Sequence, residues 1–259
     1  MSRSTIRQFL VIVTTILTLI MNSAATLVPL NGRTTAEISD SYPVLFTPAG
    51  YVFSIWSVIY LGLIAYTIYQ ALPSQRENPL LERIGTVYIL SGLMNSGWIV
   101  LWHYDFIPVS VLVMLALLGL LIAIYLRIRA AGSLSAADTW AVSIPFRVYL
   151  GWISVATIAN VSVLLFKIGW DGFGISPEAW TVTMLAIGAA LGGFFALRRF
   201  DIPYVLVLVW AFAGIGVRHQ GVLPAVATPA LALAGALVLA LVVGGVLAGR
   251  GPSAAARPA

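Results

Sequence analysis

The chain has no cysteine among its 259 residues and few charged residues of any kind. The lack of thiols excludes disulfide bonds, thiolate catalysis and cysteine-ligated metal sites, and it leaves the redox compartment undetermined. Charged residues make up 9% of the chain, against roughly 25% in an average soluble domain. Because 60% of the residues are hydrophobic and the mean hydropathy is +0.99, water cannot be the main solvent of this surface.

Lysine and histidine are also scarce. Lysine occurs once, as Lys167, at the end of an apolar run, which disfavours a retinal photoreceptor. The two histidines, His103 and His219, have no partner at metal-ligand spacing, and all nine acids lie outside the apolar runs. The sequence therefore predicts no catalytic residue, no metal site and no required cofactor.

Long apolar runs separated by short polar breaks dominate the sequence. A bilayer core of about 30 Å takes roughly 20 apolar residues per spanning helix. Because no strand-like alternation is visible, the runs predict an all-α integral membrane protein. The expected spans are residues 7–30, 50–72, 83–104, 107–128, 139–168, 178–197, 202–217 and 223–248.

Positive charge is unevenly distributed between the two sides of these spans. One side holds Arg3, Arg7, Arg76, Arg83, Arg127, Arg129, Arg198, Arg199, Arg250 and Arg257. The other side holds only Arg33, Lys167 and Arg218. This asymmetry predicts cytoplasmic N- and C-termini in a multi-pass protein, which we place in a bacterial inner or plasma membrane. Since the arginines lie at the ends of apolar runs, their expected partners are membrane lipids and not nucleic acid.

The N-terminus also has features of a cleavable signal peptide. Arg3 and Arg7 precede an apolar stretch, and small residues follow at positions 22–25. The stretch is longer than the signal-peptide core of about 7–15 residues. A retained first span therefore fits better.

Polar and aromatic side chains recur at helical spacing within three spans. In the fifth span, Tyr149, Trp152, Ala156 and Asn160 share one stripe, with Thr157 at its edge. The stripes of the third and second spans consist of Asn95, Trp98 and Trp102, and of Phe53, Trp56 and Tyr60. Buried polar groups are costly in hydrocarbon, so these stripes are where function is expected to be visible.

Two interpretations of the stripes remain open. Each one alone is explained by a helix–helix seam, since asparagine joins transmembrane helices and aromatics fill gaps. Three converging stripes indicate instead a pocket with flat apolar walls and a few donors and acceptors, which suits a large aromatic ligand. Arg147, within the fifth span, either snorkels or pairs with a carbonyl or acid, or it meets an anionic group of the ligand.

Three motifs follow one another along the second, third and fifth spans. They are FTPAGYVFSIWSVIY at residues 46–60, Asn95-x-x-Trp98, and YLGWISVATIAN at residues 149–160. In this order they resemble F-x-P-P-x-W-V-F-x-x-x-W-x-x-x-Y, L-N-x-x-W and Y-L-x-W-V-x-x-A-T-x-x-N of the TspO/MBR family, the tryptophan-rich sensory and translocator proteins. Ala49 replaces a usual proline, Tyr51 stands near a usual tryptophan, and Val148 replaces another proline.

The resemblance covers about residues 7–168 and implies a five-helix domain at residues 1–170. It implies a pocket for a porphyrin, a haem or another hydrophobic ligand, or for a sterol as in animal relatives. The pocket residues that follow from the match are Trp56, Asn95, Trp98, Tyr149, Trp152, Thr157 and Asn160. The stripe of the second span adds Phe53 and Tyr60 to this set. The interpretation in which Arg147 meets an anionic group of the ligand adds Arg147.

The last part of the chain lies outside this resemblance. Residues 171–248 are expected to form a three-helix extension that packs through small-residue faces such as Gly188-x-x-x-Gly192, or that serves as the surface of a homodimer. Residues 249–259 are expected to be disordered.

The function predicted from these features is a membrane-embedded sensory or regulatory protein that binds a small hydrophobic ligand. A small-molecule transporter is one alternative, although transporters usually show internal repeats, broken helices or midplane charges, and only Arg147 fits that description. A porphyrin-degrading photo-enzyme is another, because such an activity needs only a bound pigment and nearby tryptophans.

Overall fold

The computed structural model describes residues 2–249, and eight helices in this range are long and apolar enough to cross a membrane. They are α1 (Arg3–Leu27), α2 (Ile55–Ala71), α3 (Pro79–His103), α4 (Ile107–Ala130), α5 (Ile144–Lys167), α6 (Pro177–Phe194), α7 (Ile202–His219) and α8 (Pro224–Gly249). The expected all-α membrane fold is confirmed. Apart from Gly249, the tail for which disorder is expected lies outside the described residues.

Caps and prolines set where the helices begin. The Asn78 side chain accepts a hydrogen bond from the Leu80 amide at 2.9 Å, and Pro79 occupies the first helical position. As a result α3 begins at Pro79, ahead of the position 83 expected from hydropathy, because a cap and a first-turn proline start a helix without an apolar side chain. Wide π-helical turns at Thr139–Ser143 and Phe195–Arg199 lead into α5 and out of α6.

The first five helices close into a ring. Helix α1 packs on α3, α3 on α4, α4 on α5, α5 on α2, and α2 back on α1. The α1–α3 contact is close because a Cβ at Gly92 would lie 2.4 Å from the Thr14 Cγ2 atom. The same seam is joined by a hydrogen bond of 2.6 Å between the hydroxyls of Thr15 and Tyr88. The ring is the expected five-helix bundle.

Helices α6, α7 and α8 form a three-helix extension on one side of the ring. Helix α7 packs on α5, α8 packs on α7, and α6 packs mainly on α8 and α7. Glycines permit these contacts: a Cβ at Gly192 would lie 2.7 Å from the Leu237 side chain, and one at Gly244 would lie 2.3 Å from the Ala196 carbonyl oxygen. The extension is therefore held together by close packing of small residues.

Residues 28–54, between α1 and α2, form a cap segment over one end of the ring. The segment contains a short helix, Thr35–Asp40, which begins with a capping box between Thr34 and Glu37. A 3₁₀ turn, Gly50–Ser54, leads from the segment into α2. The amide of Asn31 donates to the His103 carbonyl at 3.0 Å, which attaches the segment to the end of α3. We call this end of the molecule the cap end.

The two ends of the bundle differ in charge. Arg33, Lys167 and Arg218 lie at the cap end, and the arginines at the other end are Arg3, Arg7, Arg76, Arg83, Arg127, Arg129, Arg147, Arg198 and Arg199. We call the second end the arginine-rich end. The arrangement is that of a multi-pass membrane protein, and the cytoplasmic location of the arginine-rich end remains a prediction.

Candidate functional site

The three aromatic stripes meet inside the ring around Trp56 of α2. The centroid of its ring system lies 6.5 Å from that of Trp98, 6.1 Å from Tyr149 and 6.2 Å from Trp152. Tyr60 stacks on the same indole at 5.5 Å. Such offset and edge-to-face pairs stabilise one another beyond the area that they bury. The sequence spacing thus brings side chains of three helices into one place.

Two further aromatic residues extend this arrangement. Phe53 contacts Trp152 edge to face at 5.8 Å, and Trp102 stacks on Trp98 at 5.8 Å. We call the whole group the aromatic cluster. It consists of Phe53, Trp56, Tyr60, Trp98, Trp102, Tyr149 and Trp152. Trp102 belongs to the stripe of the third span. It is the one residue of the cluster that is not among the expected ligand-binding residues.

A buried polar network fixes the position of Trp98. Its indole N–H donates to the Asn160 side-chain oxygen at 3.1 Å, and the Asn160 amide donates to the Ser110 hydroxyl at 3.1 Å. The network joins α3, α5 and α4. Sequence spacing identified Trp98 and Asn160, but it carried no signal for Ser110, because a lone serine in an apolar helix has no characteristic pattern.

Asn95 lies one turn before Trp98 on α3 and faces α1. Its side-chain oxygen accepts a hydrogen bond of 2.7 Å from the Asn22 amide of α1. Asn22 also donates to the Thr18 carbonyl at 2.8 Å. Asn95 therefore has a role in the α1–α3 seam, as the seam interpretation of its stripe requires, and its side chain also lies within reach of the Tyr149 hydroxyl.

Three buried donors lie in this part of the ring, on Asn95, Tyr149 and Trp152. The Asn95 amide and the Tyr149 hydroxyl lie within reach of each other, whereas the Trp152 indole N–H has no partner in the protein. The three residues are 0%, 2% and 3% exposed, so bulk water does not reach these groups. A buried donor without an acceptor costs roughly 1–3 kcal/mol. The Trp152 indole N–H is thus available to an acceptor from another molecule.

A cavity of about 40 Å³ lies within the aromatic cluster. Phe53, Trp56, Trp98, Trp152 and Asn160 of the expected set line it. Its remaining walls come from Trp102, from the small faces of α5 and from the cap segment, namely Val155, Ala156, Ala159, Thr35, Ser39 and Pro48. The short helix Thr35–Asp40 thus closes the cavity toward the cap end, which no periodic signal in the sequence predicted.

Tyr60, Asn95 and Tyr149 of the expected set do not line this cavity. Two more expected residues, Thr157 and Arg147, contact other parts of the structure. The Thr157 side chain lines a groove on the outer side of α5, and its hydroxyl donates to the Ile153 carbonyl at 2.7 Å. Arg147 forms an ion pair of 3.6 Å with Asp201, which immediately precedes α7 and is 1% exposed. Of the two interpretations of Arg147, the pairing with an acid is therefore the one that the structure contains.

The extension holds the cap segment in place. The Arg218 guanidinium of α7 forms an ion pair with Asp40 and donates to the Pro48 carbonyl at 3.3 Å. The His219 Nε2 atom lies 2.8 Å from the Leu45 carbonyl oxygen. Trp210 donates from its indole nitrogen to the Val52 carbonyl at 3.0 Å, directly before Phe53. These contacts connect the extension to the cap segment and to one wall of the cavity.

A hydrogen-bonded group at Asp105, which we call the clasp, attaches the cap segment to the ends of α3 and α5. Asp105, in the turn before α4, accepts hydrogen bonds from the Tyr42 hydroxyl and the Lys167 ammonium group. Burial acts to raise the pKa of Asp105, but the hydrogen bonds from Lys167 and Tyr42 outweigh it and hold the pKa below its ordinary value of 3.8. Burial and the bond to Asp105 raise the pKa of Tyr42 to about 12.

The chemistry of the cavity is that of recognition by stacking and hydrogen bonding. Its lining contains no histidine and no acid. In the described part of the chain, no three His, Cys, Asp or Glu side chains lie together in a way that could hold a metal ion. Aromatic faces and donor groups are what the cavity offers to a ligand.

Comparison with known proteins gives one match. The family model described as "TSPO-like protein" matches residues 8–243, from α1 to α8. The matched range therefore runs beyond the motifs of the second, third and fifth spans and includes most of the three-helix extension. No curated protein and no solved structure matches the chain significantly.

Proposed function

Because the chain belongs to the TSPO-like protein family, we propose that it is a membrane-embedded sensory or regulatory protein whose aromatic cluster binds a hydrophobic ligand, porphyrin-like or sterol-like. The observation that carries the proposal is the aromatic cluster around the Trp56 indole, together with the buried Trp152 indole N–H that has no protein acceptor. Apolar pockets with a few converging polar groups are typical of small-molecule sites.

The chemistry of the site favours a flat ligand with acceptor groups at its edge. Trp56, Trp98 and Trp152 offer stacking and edge contacts to a ring system. The free Trp152 indole N–H suits a carbonyl or carboxylate oxygen, since a donor that loses water needs an acceptor in return. A porphyrin provides both features. A haem would find no histidine in the cavity lining, so the metal-free porphyrin is the better first probe.

Binding of such a ligand requires the site to open. The cavity of about 40 Å³ is little more than the roughly 30 Å³ that one water occupies, while ligand pockets measure about 300–1,000 Å³. Helix α2 is the wall best able to move, because only four of its residues, Ile59, Leu63, Tyr66 and Gln70, are buried. Trp56 itself is half-buried. Outward movement of α2 would open the space that Trp56 now fills.

The same movement of α2 would couple ligand binding to the extension. The turn before α2 is bonded to Trp210 of α7 through the Val52 carbonyl, and the Ala49 amide donates to the Gly214 carbonyl at 3.1 Å. A shift of α2 therefore changes contacts with the extension. This coupling supports a sensory role, in which a ligand alters the balance between two arrangements of the bundle.

A titration of the detergent-purified protein with protoporphyrin IX tests the proposal. The porphyrin's own absorbance is the readout, so that removing a tryptophan does not remove the signal. We expect Trp56→Phe, Trp98→Phe and Trp152→Phe each to weaken binding about 5–10-fold. All three lose stacking area, Trp98→Phe also loses the bond to Asn160 that fixes the ring, and Trp152→Phe loses a free indole N–H. Tyr149→Phe removes a single hydroxyl and should weaken binding about 3-fold.

The matched control is Trp140→Phe, because Trp140 is 72% exposed and lies in the π-helical turn outside the ring. Its dissociation constant should equal that of the unmodified protein. Equal dissociation constants for all five variants would reject the aromatic cluster as the site. A flux assay in liposomes separates binding from transport, and saturable porphyrin flux would replace the sensory proposal with a transporter.

A further inference from the structure

A long apolar groove separates the ring from helix α6. Its section nearer the cap end has a volume of about 390 Å³ and lies between α5, the cap segment and the start of α6. Its section nearer the arginine-rich end has a volume of about 500 Å³ and lies between α4, α5, α6 and α7. Thr157 and Ile158 line both sections. The two sections therefore adjoin each other along α5.

The groove exists because α6 packs on α8 and α7 and makes little contact with α4 or α5. The side chains that face it include Leu118, Ile122, Leu126, Ile187 and Leu191. The second section extends along α6 from Ile187 to Phe195, which is about 12 Å at about 1.5 Å of rise per residue. One leaflet of a hydrocarbon core of about 30 Å has a similar depth.

Positive charge marks one mouth of this groove. Arg129 of α4 and Arg199 of the turn after α6 line the section at the arginine-rich end. Neither guanidinium lies within salt-bridge distance of a carboxylate in residues 2–249, and Asp201 is paired instead with Arg147. The Tyr125 hydroxyl also lines the section and lies near Arg129 and Asp201.

We propose that this section is a binding site for an anionic phospholipid. One acyl chain lies between α4, α5 and α6, and the headgroup phosphate lies between the guanidinium groups of Arg129 and Arg199. Guanidinium groups bind phosphate oxygens through paired, charge-assisted hydrogen bonds, and basic pockets between transmembrane helices select anionic headgroups. The site is distinct from the aromatic cluster, which lies on the other side of α5.

Arginines at helix ends also occur for reasons of topology alone, so the test compares arginines inside and outside the groove. Arg127 and Arg198 provide the matched control. They lie on the same helix ends but are absent from the groove lining, and Arg127 donates to the Arg83 carbonyl at 2.9 Å. The double variants R129Q/R199Q and R127Q/R198Q remove the same charge from the same end of the molecule.

Each variant is equilibrated with mixed micelles of phosphatidylglycerol and phosphatidylcholine, and retained lipid is measured by native mass spectrometry. We expect the unmodified protein and R127Q/R198Q to retain the anionic lipid preferentially, and R129Q/R199Q to lose at least five-fold of that preference. Equal losses in the two double variants would show a diffuse surface effect and overturn the proposal. Absence of any preference in the unmodified protein would also overturn it.

A second pair of variants tests the acyl-chain part. Leu191→Trp narrows the groove, whereas Leu239→Trp places the same side chain on an exposed position of α8 that does not line the groove. Only the first should lower lipid retention, and equal retention by both would place the lipid elsewhere. Trp152→Phe should leave lipid retention unchanged, which separates this proposal from the one for the aromatic cluster.

Discussion

The ring and the three-helix extension solve the problem of packing helices in lipid in two different ways. The ring joins its helices by buried polar bonds, such as Thr15 to Tyr88, Asn22 to Asn95, and Trp98 to Asn160. In the described residues, no side-chain hydrogen bond joins α6, α7 and α8 to one another. The extension relies on glycines that let backbones approach.

The difference extends to where polar side chains of the extension point. Those of α7 bond to the ring or to the cap segment: Tyr204 donates to the Ser154 hydroxyl at 3.2 Å, and Trp210 and Arg218 bond to carbonyls before α2. The extension is thus close-packed within itself and hydrogen-bonded toward the site. The extension therefore acts as a brace for the part of the ring where the ligand is proposed to bind.

The largest expected effect comes from breaking the ion pair between the two regions. Arg147→Gln leaves the Asp201 carboxylate, whose side chain is 2% exposed, without its cation. We expect a loss of about 3 kcal/mol in the free energy of unfolding, as for other broken buried pairs. Asp201→Asn should cost only about 1 kcal/mol, because the Arg147 side chain is 28% exposed and can reach headgroups.

Thermal unfolding in detergent measures both variants. The double variant R147Q/D201N should be more stable than R147Q alone, because it no longer buries an unpaired carboxylate. A greater loss of stability for D201N than for R147Q would mean that the ion pair does not attach the extension to the ring.

An intermediate effect on stability is expected from replacing one glycine by valine in each region. Gly244→Val forces α8 away from the Ala196 carbonyl, and Gly92→Val forces α3 away from Thr14. Each should cost about 1–3 kcal/mol, as overpacking generally does. Because the two regions use their contacts differently, only Gly92→Val should weaken protoporphyrin binding by more than two-fold.

The chain supplies a matched control for each of these variants. A Cβ at Gly235 of α8 or at Gly97 of α3 would meet nothing within 4 Å. Valine at these positions should therefore change neither stability nor affinity appreciably. If Gly244→Val weakened porphyrin binding as strongly as Gly92→Val, packing inside the extension would have to be counted as part of the site.

The smallest expected effect concerns pH and the clasp at Asp105. The folded-state pKa of Asp105 lies below 3.8, so its contribution to stability is present above that pH and is lost as the pH falls through the folded value. The contribution should be about 0.5 kcal/mol, since the groups are partly exposed.

Asp105→Asn removes the charge and keeps the backbone unstrained, because asparagine tolerates the positive φ of 63° at this turn. The stability difference between the unmodified protein and Asp105→Asn, measured by unfolding, should be larger at pH 6 than at pH 3. A stability difference that grows as the pH falls would mean that the Asp105 carboxylate does not stabilise the fold.

The agreement between sequence and structure is best where a side chain's face follows from helical spacing. Trp56, Trp98 and Trp152 were expected on one shared surface and lie around one cavity. Helical spacing predicts the helix face on which a side chain lies but not the residue that it contacts. The hydrogen-bond partners Asn22 and Ser110 could therefore not be predicted. It also placed Thr157 with Asn160, whereas the three-residue step turns Thr157 toward the groove.

The cap segment and the contacts of α7 were beyond sequence reasoning for a different reason. Irregular backbone has no period, so nothing in residues 28–54 indicated that Thr35 and Ser39 would face the cavity. The pairing of Arg147 with Asp201 joins residues far apart in sequence through the way α7 docks on α5. Only the packing of complete helices determines that choice.

The bonds from α7 to the cap segment have a consequence for how the protein is made. Trp210 is 158 residues beyond its acceptor Val52, and Arg218 is 178 residues beyond Asp40. At roughly 5–20 residues per second, a ribosome reaches α7 on the order of 10–30 seconds after the first two helices have been synthesised. A nascent chain that has inserted α1 to α5 carries every tryptophan of the cluster, yet the cap segment above them lacks its bonds to Trp210, Arg218 and His219 until the seventh helix has been made.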